Sequence, residues 1–417
     1  LLLQLHYSLY FGNKSENMNT SNPTILVIVG ITGDLAKRKL LPAIAALAEQ
    51  SLLPERFHLI GVTRQHGIAL DTLLAMTPGA SVIGDRITIL QMELDQVSEY
   101  TKLATLMNDI EKGFGEKAKR VIYLSVPPTV SRGIVEHVGT TGMVADAATT
   151  VLMEKPFGTD YDDAKALAAH VQSYIPNGQL YRVDHYLAKH LVQEMVERSP
   201  DTSEITRIDI VASESLGIEG RANFYEQTGA LRDLVQSHLL QFVAAALFDP
   251  TSPKDRATQR HEALQSLSVI PGSVVRGQYK GYREEVGNLG SNVETFVSMT
   301  LQSTLPAFTQ VPITVATGKH LDIKKTSIIY TYSDGTTRDF TDKPIRPAEA
   351  YERIIHSAIV GKEDIFITAE DVLACWRIVT PIQIEWRDSA TDLVFYAPGS
   401  TIAEVLMNAQ SSSTFHE

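Results

Sequence analysis

Three stretches of the chain carry titratable side chains in patterns that could do chemistry. The first is Glu154-Lys155-Pro156-Phe157-Gly158, directly after an apolar run. A lysine at the carboxyl end of a parallel strand points to the crevice where α/β sheets bind ligands. The second is Tyr181–Lys189, which holds Asp184, His185, Tyr186 and Lys189. The third is Gly229–Gln241, in which Asp233, Ser237 and Gln241 recur every fourth residue and His238 lies one residue round from Ser237. An imidazole that titrates near neutrality can take the proton of an alcohol. A carboxylate can orient its ring. His185, Tyr186 and Lys189 supply the donors that a phosphate needs. Any one histidine taken singly is more often a structural group. The combination of segments carries the reading.

A second chemistry is written near the start. Thr24–Val29 is a β-branched apolar run that passes into Gly30-Ile31-Thr32-Gly33-Asp34-Leu35-Ala36. Glycines between a strand and a helix let backbone N–H groups approach a pyrophosphate, and the helix N-terminus adds positive potential. The spacing is G-x-x-G-x-x-A rather than G-x-G-x-x-G, and such glycines also serve tight packing. The second strand ends Val62-Thr63-Arg64. An acid there would hold a ribose 2′-hydroxyl, whereas Arg64 can grip a 2′-phosphate. Lys37, Arg38 and Lys39 follow in the first helix, either as part of that grip or as a solvated basic face. These features favour NADP over NAD.

The elements that must position these groups fall into two patterns. Strands at Thr24–Val29, His58–Thr63, Arg86–Leu90, Arg120–Ser125 and Thr150–Met153 alternate with helices at Asp34–Glu49, Tyr100–Glu111 and Val130–Val138. That alternation predicts an α/β Rossmann-like, doubly wound parallel sheet. Beyond it, Thr206–Ser213, Val293–Leu301 and Thr326–Tyr332 alternate like half-buried antiparallel strands, and Ser333–Thr336 is a hairpin signal. Helical spacing covers Asp233–Ala246, Ala348–Val360 and Ala369–Ile384. The second half is therefore α+β with a large, mostly antiparallel sheet. The expected organisation is an N-terminal extension over 1–22, a cofactor domain over 23–183 and a substrate and dimerisation domain over 184–417.

The whole chain narrows the function classes. It has 417 residues and a net charge of −12, which argues against nucleic acid as a partner. No apolar run is long enough to span a membrane. Leu1–Phe11 is apolar but lacks the basic flank of a signal peptide, so Met18 is the expected start. The single cysteine, Cys375, excludes an intrachain disulfide and a cysteine-based zinc cluster. It sits in an apolar run and is expected to be a buried structural thiol in a reducing cytoplasm. No metal site is expected.

On these residues the chain resembles the glucose-6-phosphate 1-dehydrogenase family. The matching stretches are Gly30–Leu41, Tyr123–Val130, Glu154–Gly158, Arg182–Lys189, Glu219–Gln241 and Trp376–Pro381, in order from about residue 24 to about residue 407. The resemblance implies oxidation of glucose 6-phosphate by NADP, the first step of the oxidative pentose phosphate pathway. It implies His238 as general base and Asp184 as its carboxylate partner. It implies His185, Tyr186 and Lys189 as phosphate ligands, and Glu214 and Asp233 as holders of sugar hydroxyls. Lys319 and Lys324 match late substrate-binding lysines. Lys155 matches a residue that touches both sugar and nicotinamide, with a cis bond to Pro156. Gly30, Thr32, Gly33, Asp34 and Leu35 match the pyrophosphate loop, Arg64 the 2′-phosphate reader and Tyr123 a cofactor-domain contact.

The chain departs from the family pattern in places. Ala188 stands where a glycine is usual, which is harmless only if its φ is negative. His190 adds a titratable group after Lys189, and Ser237 stands where an asparagine usually precedes the base. The chain is short between Tyr332 and Ala350, which bears on the sheet that implies a homodimer and on a second, structural NADP site. Two other readings are a sugar dehydrogenase of glucose-fructose oxidoreductase type and a catalytically silent family member. The first shares the Glu-Lys-Pro but leaves Asp184–Lys189 and the His238 segment unaccounted for.

Overall fold

The computed structural model describes residues 22–67, 80–198, 200–343, 349–388 and 392–413. The extension expected over 1–22 and the start at Met18 lie almost wholly outside these residues. Among the described residues fifteen strands follow one another. They are β1 (Thr24–Val29), β2 (Phe57–Thr63), β3 (Ile87–Gln91), β4 (Lys119–Leu124), β5 (Thr149–Glu154), β6 (Leu180–Val183), β7 (Ile205–Ser213), β8 (Leu267–Val269), β9 (Val275–Tyr279), β10 (Phe296–Ser303), β11 (Ile313–Gly318), β12 (Lys325–Tyr332), β13 (Thr337–Thr341), β14 (Phe366–Ile367) and β15 (Leu393–Tyr396).

The chain divides into two compact units. The first comprises Leu1–Phe157, Lys165–Ala188 and Pro344–Thr368. Every residue of β1 is buried, as an apolar run without alternation requires. It pairs in parallel with β2 on one side and β4 on the other. The sheet runs β14-β6-β5-β4-β1-β2-β3, and only β14 is antiparallel to its neighbour. Strand order reverses between β1 and β4, so the crevice for a ligand opens at their carboxyl ends. The helix Glu349–Val360, which precedes β14, buries Tyr351, Ile354, Ile355 and Ala358 in the same apolar cluster as Leu26, Ile28, Val121 and Val183.

The second unit comprises Gly158–Ala164, Lys189–Lys343 and Ala369–Glu417. Its sheet runs β13-β12-β7-β11-β10-β9-β15, with β8 paired to β10. Most pairings are antiparallel, as expected from the alternation, but β7 runs parallel to β11 and β9 parallel to β15. The hairpin expected at Ser333–Thr336 joins β12 to β13, with Gly335 at φ 81°. One apolar cluster is rich in tyrosine: Tyr225, Tyr279, Tyr282 and Tyr396 pack with Phe296, Ile218, Leu321 and Val405. Cys375 is buried as expected, and its sulfur accepts a hydrogen bond from Gln241 Nε2 at 3.4 Å.

Two local forms differ from the spacing. The helices expected as ordinary α at Asp34–Glu49 and Asp233–Ala246 each begin with a wider π-helical stretch, Ala36–Leu40 and Leu231–Leu239. Such stretches are uncommon and recur at functional sites. No helix among the described residues is long and apolar enough to cross a membrane.

Candidate active site

In the first unit a cavity of about 180 Å³ opens at the ends of β1, β2 and β4. It is lined by Gly30, Thr32 and Gly33, by Thr63, Arg64 and Gln65, and by Ser125 and Val126. Gly30 is required twice over. Its φ is +94°, and a Cβ there would lie 2.3 Å from the Ser125 carbonyl oxygen. The loop is fixed from below, since the Gly30 and Ile31 amides both donate to the Val62 carbonyl. The Thr32 and Thr63 hydroxyls meet at 3.1 Å. Ser125 Oγ is buried in the lining without a hydrogen-bond partner among the described residues. Arg64 is exposed and makes no ion pair among them. Asp34 and Leu35 do not line the cavity: Asp34 pairs with Arg38 at 2.7 Å on the surface, and Leu35 packs against the core. The basic triplet is therefore partly neutralised by its own helix.

A shape that excludes a Cβ, an orphaned hydroxyl and an arginine with no acid at the β2 end suit a phosphorylated dinucleotide. The residues present fit NADP.

Parallel pairing of β5 with β6 sets Glu154 opposite Val183, so Lys155 and Asp184 follow from adjacent strand ends. The Lys155–Pro156 bond is cis, as the resemblance implies. Asp184 is buried, and its Oδ1 accepts the Tyr186 N–H at 2.9 Å. The His185 ring meets Tyr186 edge-on at 5.0 Å and Tyr351 face-on at 5.8 Å. Ala188 is fully buried and its φ is not in the left-handed region, so the exchange from glycine is harmless.

Sequence reasoning missed the glutamate beside Lys155. Glu154 accepts a hydrogen bond from the fully buried Tyr123 hydroxyl at 2.5 Å. Burial pushes its carboxyl up to about 7; Tyr123 and Lys155 pull it down, and the Asp184 charge raises it. Tyr123 thus stands in the expected domain but does not line the dinucleotide cavity. Tyr351 was missed as well. Burial, then the charges of Glu154 and Asp184, raise its phenol far above the usual range.

In the second unit β7 and β11 run parallel with Ser213 opposite Gly318. The next residues, Glu214 and Lys319, therefore leave the sheet side by side, and Lys319 Nζ donates to Glu214 Oε2. The Lys319 ammonium also lies 5.6 Å from the Tyr225 ring centre. Tyr225 is buried, and its hydroxyl has no partner among the described residues. Burial, then Asp233 and Glu294, raise its phenol well above the usual range. Lys324 stands exposed. Lys189 pairs with Asp342 at 3.0 Å, a partner that the sequence did not suggest. His190 Nδ1 lies 3.7 Å from Glu194 of its own helix.

Asp233 and His238 are both buried on the π-helical stretch Leu231–Leu239. Ser237 donates to the Asp233 carbonyl, so it serves the backbone. The stretch is anchored by Glu294, whose Oε1 accepts the Leu231 N–H at 2.9 Å. Gly229, at φ +65° and ψ 175°, makes the kink before it. A Cβ on Gly229 would lie 2.3 Å from Glu294 Oε1. Burial raises the Glu294 carboxyl above its ordinary range. No local pattern in the sequence signals this anchor.

Two family models match the chain. The NAD-binding domain of glucose-6-phosphate dehydrogenase matches residues 27–194, and the C-terminal domain of glucose-6-phosphate dehydrogenase matches 190–347 and 334–414. The glucose-6-phosphate 1-dehydrogenase of Chlamydia pneumoniae is 29% identical, over 92% of this chain and 93% of its own. That of Bacillus subtilis is 28% identical, over 92% and 95%. The crystal structure of glucose-6-phosphate 1-dehydrogenase from Mycobacterium avium superposes with a TM-score of 0.76 at 26% identity, over 94% of this chain and 97% of that one. A glucose-6-phosphate dehydrogenase in complex with glucose-6-phosphate shares the fold, with a TM-score of 0.82 at 20% identity, over 93% and 98%. The chain belongs to the glucose-6-phosphate dehydrogenase family.

Proposed function

We propose that this chain oxidises the C1 hydroxyl of D-glucose 6-phosphate to the lactone, with NADP as hydride acceptor. The observation that supports the reading most is the match of both family models across nearly the whole chain, with every implied reactive side chain present. Bound NADP supplies the site that takes up the hydride.

The chain's own groups do the rest. His238 takes the C1 hydroxyl proton, and Asp184 carries the carboxylate role that stabilises the resulting imidazolium. His185, Tyr186 and Lys189 bind the phosphate. Glu214 and Asp233 accept hydrogen bonds from sugar hydroxyls, and Lys319 and Lys324 donate. Lys155 serves both sugar and nicotinamide. Gly30, Thr32 and Gly33 cradle the pyrophosphate, Asp34 and Leu35 carry that loop into its helix without lining the cavity, Arg64 reads the 2′-phosphate, and Tyr123 is a cofactor-domain contact. A homodimer is the expected assembly, and the cytoplasm is the compartment that a lone buried thiol suits.

The test is NADPH formation from a panel of sugars with and without the phosphate. Turnover of glucose 6-phosphate far above glucose supports the reading. Equal turnover points to a general sugar dehydrogenase, and cofactor binding without turnover points to a silent member. His238→Ala is expected to lower kcat by roughly 10²–10⁴-fold with NADP still bound. Adding Asp184→Asn to it should cost little more, because the two act as one unit.

A further inference from the structure

We infer that the helix Glu349–Val360 carries a clamp that sets the phosphate-binding loop, with Tyr351 and Arg353 as positioning residues. This rests on the reading above, in which His185 and Tyr186 hold the substrate phosphate.

The loop from Asp184 to Ala188 is a tight turn: the Leu187 N–H donates to the Asp184 carbonyl at 3.2 Å. Asp184 Oδ1 closes it from inside through the Tyr186 N–H. Neither bond fixes the His185 ring. That ring lies nearly parallel to Tyr351, at 16° between planes and 5.8 Å between centres, with the Tyr186 ring against it edge-on. Offset stacking at this distance is attractive and leaves the ring little freedom to turn. At the far end of the loop, Arg353 Nη1 donates to the Ala188 carbonyl. Its Nη2 donates to Glu349 Oε1, one turn back on the same helix. Tyr351, Arg353 and Glu349 are all buried. The loop is thus held at its first ring by an aromatic face and at its last carbonyl by a guanidinium, from a helix more than 160 residues downstream.

A loop set in advance binds its ligand without the cost of ordering itself. Loosening it beyond Asp184, which follows directly from the paired end of β6, should therefore weaken recognition of the phosphate and leave the hydride step alone. An ordinary packing role would weaken everything that the unit does, cofactor binding included.

The experiment uses the full chain with NADP, assayed on glucose 6-phosphate and on glucose. Tyr351→Leu and Arg353→Gln should each raise the KM for glucose 6-phosphate about 10-fold, as expected for one lost charge-assisted or stacking contact. The saturated kcat, the KM for NADP and kcat/KM for glucose should stay within about twofold. Tyr351→Phe, which keeps the ring, should restore the KM. A parallel rise in the KM for NADP, or an equal loss on glucose, reduces both residues to packing and overturns the inference. So does a Phe variant as impaired as the Leu variant. Should the unmodified chain turn over no glucose 6-phosphate, the functional reading falls on its own. Calorimetry with inorganic phosphate then decides the clamp, which predicts weaker binding in both variants and is refuted by equal binding.

Discussion

The two units place their chemistry on the same device and charge it differently. In the first, adjacent parallel strands β5 and β6 end together and release Glu154, Lys155 and Asp184. In the second, adjacent parallel strands β7 and β11 end together and release Glu214 and Lys319. The second pair is already an ion pair with an aromatic ring beside the ammonium. The first collects a lysine, a second carboxyl and two phenols round Glu154, which burial raises to about 7. Parallel strand ends thus converge side chains whatever sheet they belong to. Whether the cluster is neutralised in advance or left to titrate depends on the residues one step beyond the sheet.

One substitution, glutamate to glutamine, tests this contrast at both places. At Glu214 it strands the Lys319 ammonium, whose side chain is only 4% exposed. Breaking a buried pair from one side costs about 3 kcal/mol. Glu214→Gln should therefore destabilise the second unit by up to that amount, less what solvent already takes from the 38% exposed carboxylate, read from its urea midpoint. Lys319→Met should cost less, because the carboxylate it strands is 38% exposed and can be hydrated. Equal losses would mean that the stranded carboxylate is no better hydrated than the stranded ammonium.

At Glu154 the same exchange should have the opposite sign. The folded carboxyl, raised by burial to about 7, keeps its proton where the unfolded one, near 4.5, has lost it. Between those values the folded state binds more protons, so stability falls as pH rises, and the penalty is complete above about 7. Its ceiling is about 3 kcal/mol. Glu154→Gln keeps an acceptor for Tyr123 and removes the penalty. It should stabilise the first unit at pH 8 and do nothing at pH 4. His356 opposes it in the unmodified protein: burial lowers its imidazole to about 4, so its contribution is lost as pH falls from 6.5. The variant should show that rise alone. A variant less stable at pH 8 would mean that the charged carboxylate is needed for Lys155.

How far these groups could be read in advance follows from the range of the interactions that place them. Gly30, Arg64 and Lys155 stand at strand ends that the apolar runs themselves mark, so local spacing located them. The helix Glu349–Val360 was visible from its spacing, but nothing in it names the sheet on which it packs or shows Tyr351 reaching His185. The β7–β11 pairing was hidden for the same reason: about 100 residues separate two strands whose alternation suits either direction. Glu294 anchors a helix about 60 residues upstream, and no local pattern in the sequence links the two. The π-helical turns arise from packing and leave no period in the sequence.

The cofactor end allows a smaller test. The β2 end carries Arg64 and no acid, and Arg38 is engaged with Asp34. If Arg64 alone reads the 2′-phosphate, Arg64→Ala should cut the NADP-over-NAD preference roughly 10–100-fold, the worth of a charged hydrogen bond. Steady-state kinetics with both cofactors measures it. A preference that survives would shift the reading to Lys37 or Lys39 and leave this end as pre-neutralised as the β7–β11 end.

The smallest expected effect lies at Lys189, whose ammonium is paired in advance much as Lys319 is. Asp342 Oδ2 lies 3.0 Å from Lys189 Nζ, and both side chains are mostly buried. The other carboxylate oxygen is buried with no hydrogen-bond partner among the described residues. If Lys189 binds the phosphate, the phosphate must share it with that carboxylate, and two anions on one cation repel. Both side chains still reach water, at 19% and 11% exposure, so such repulsion is partly damped, which leaves a net effect of a few-fold rather than orders of magnitude. Asp342→Asn keeps a hydrogen-bond acceptor for Lys189 and removes the charge. The KM for glucose 6-phosphate should fall by about 2–5-fold, more at low ionic strength than at high, with the KM for NADP unchanged. A KM that rises instead would show that the carboxylate steers the lysine into place, as Glu214 does for Lys319.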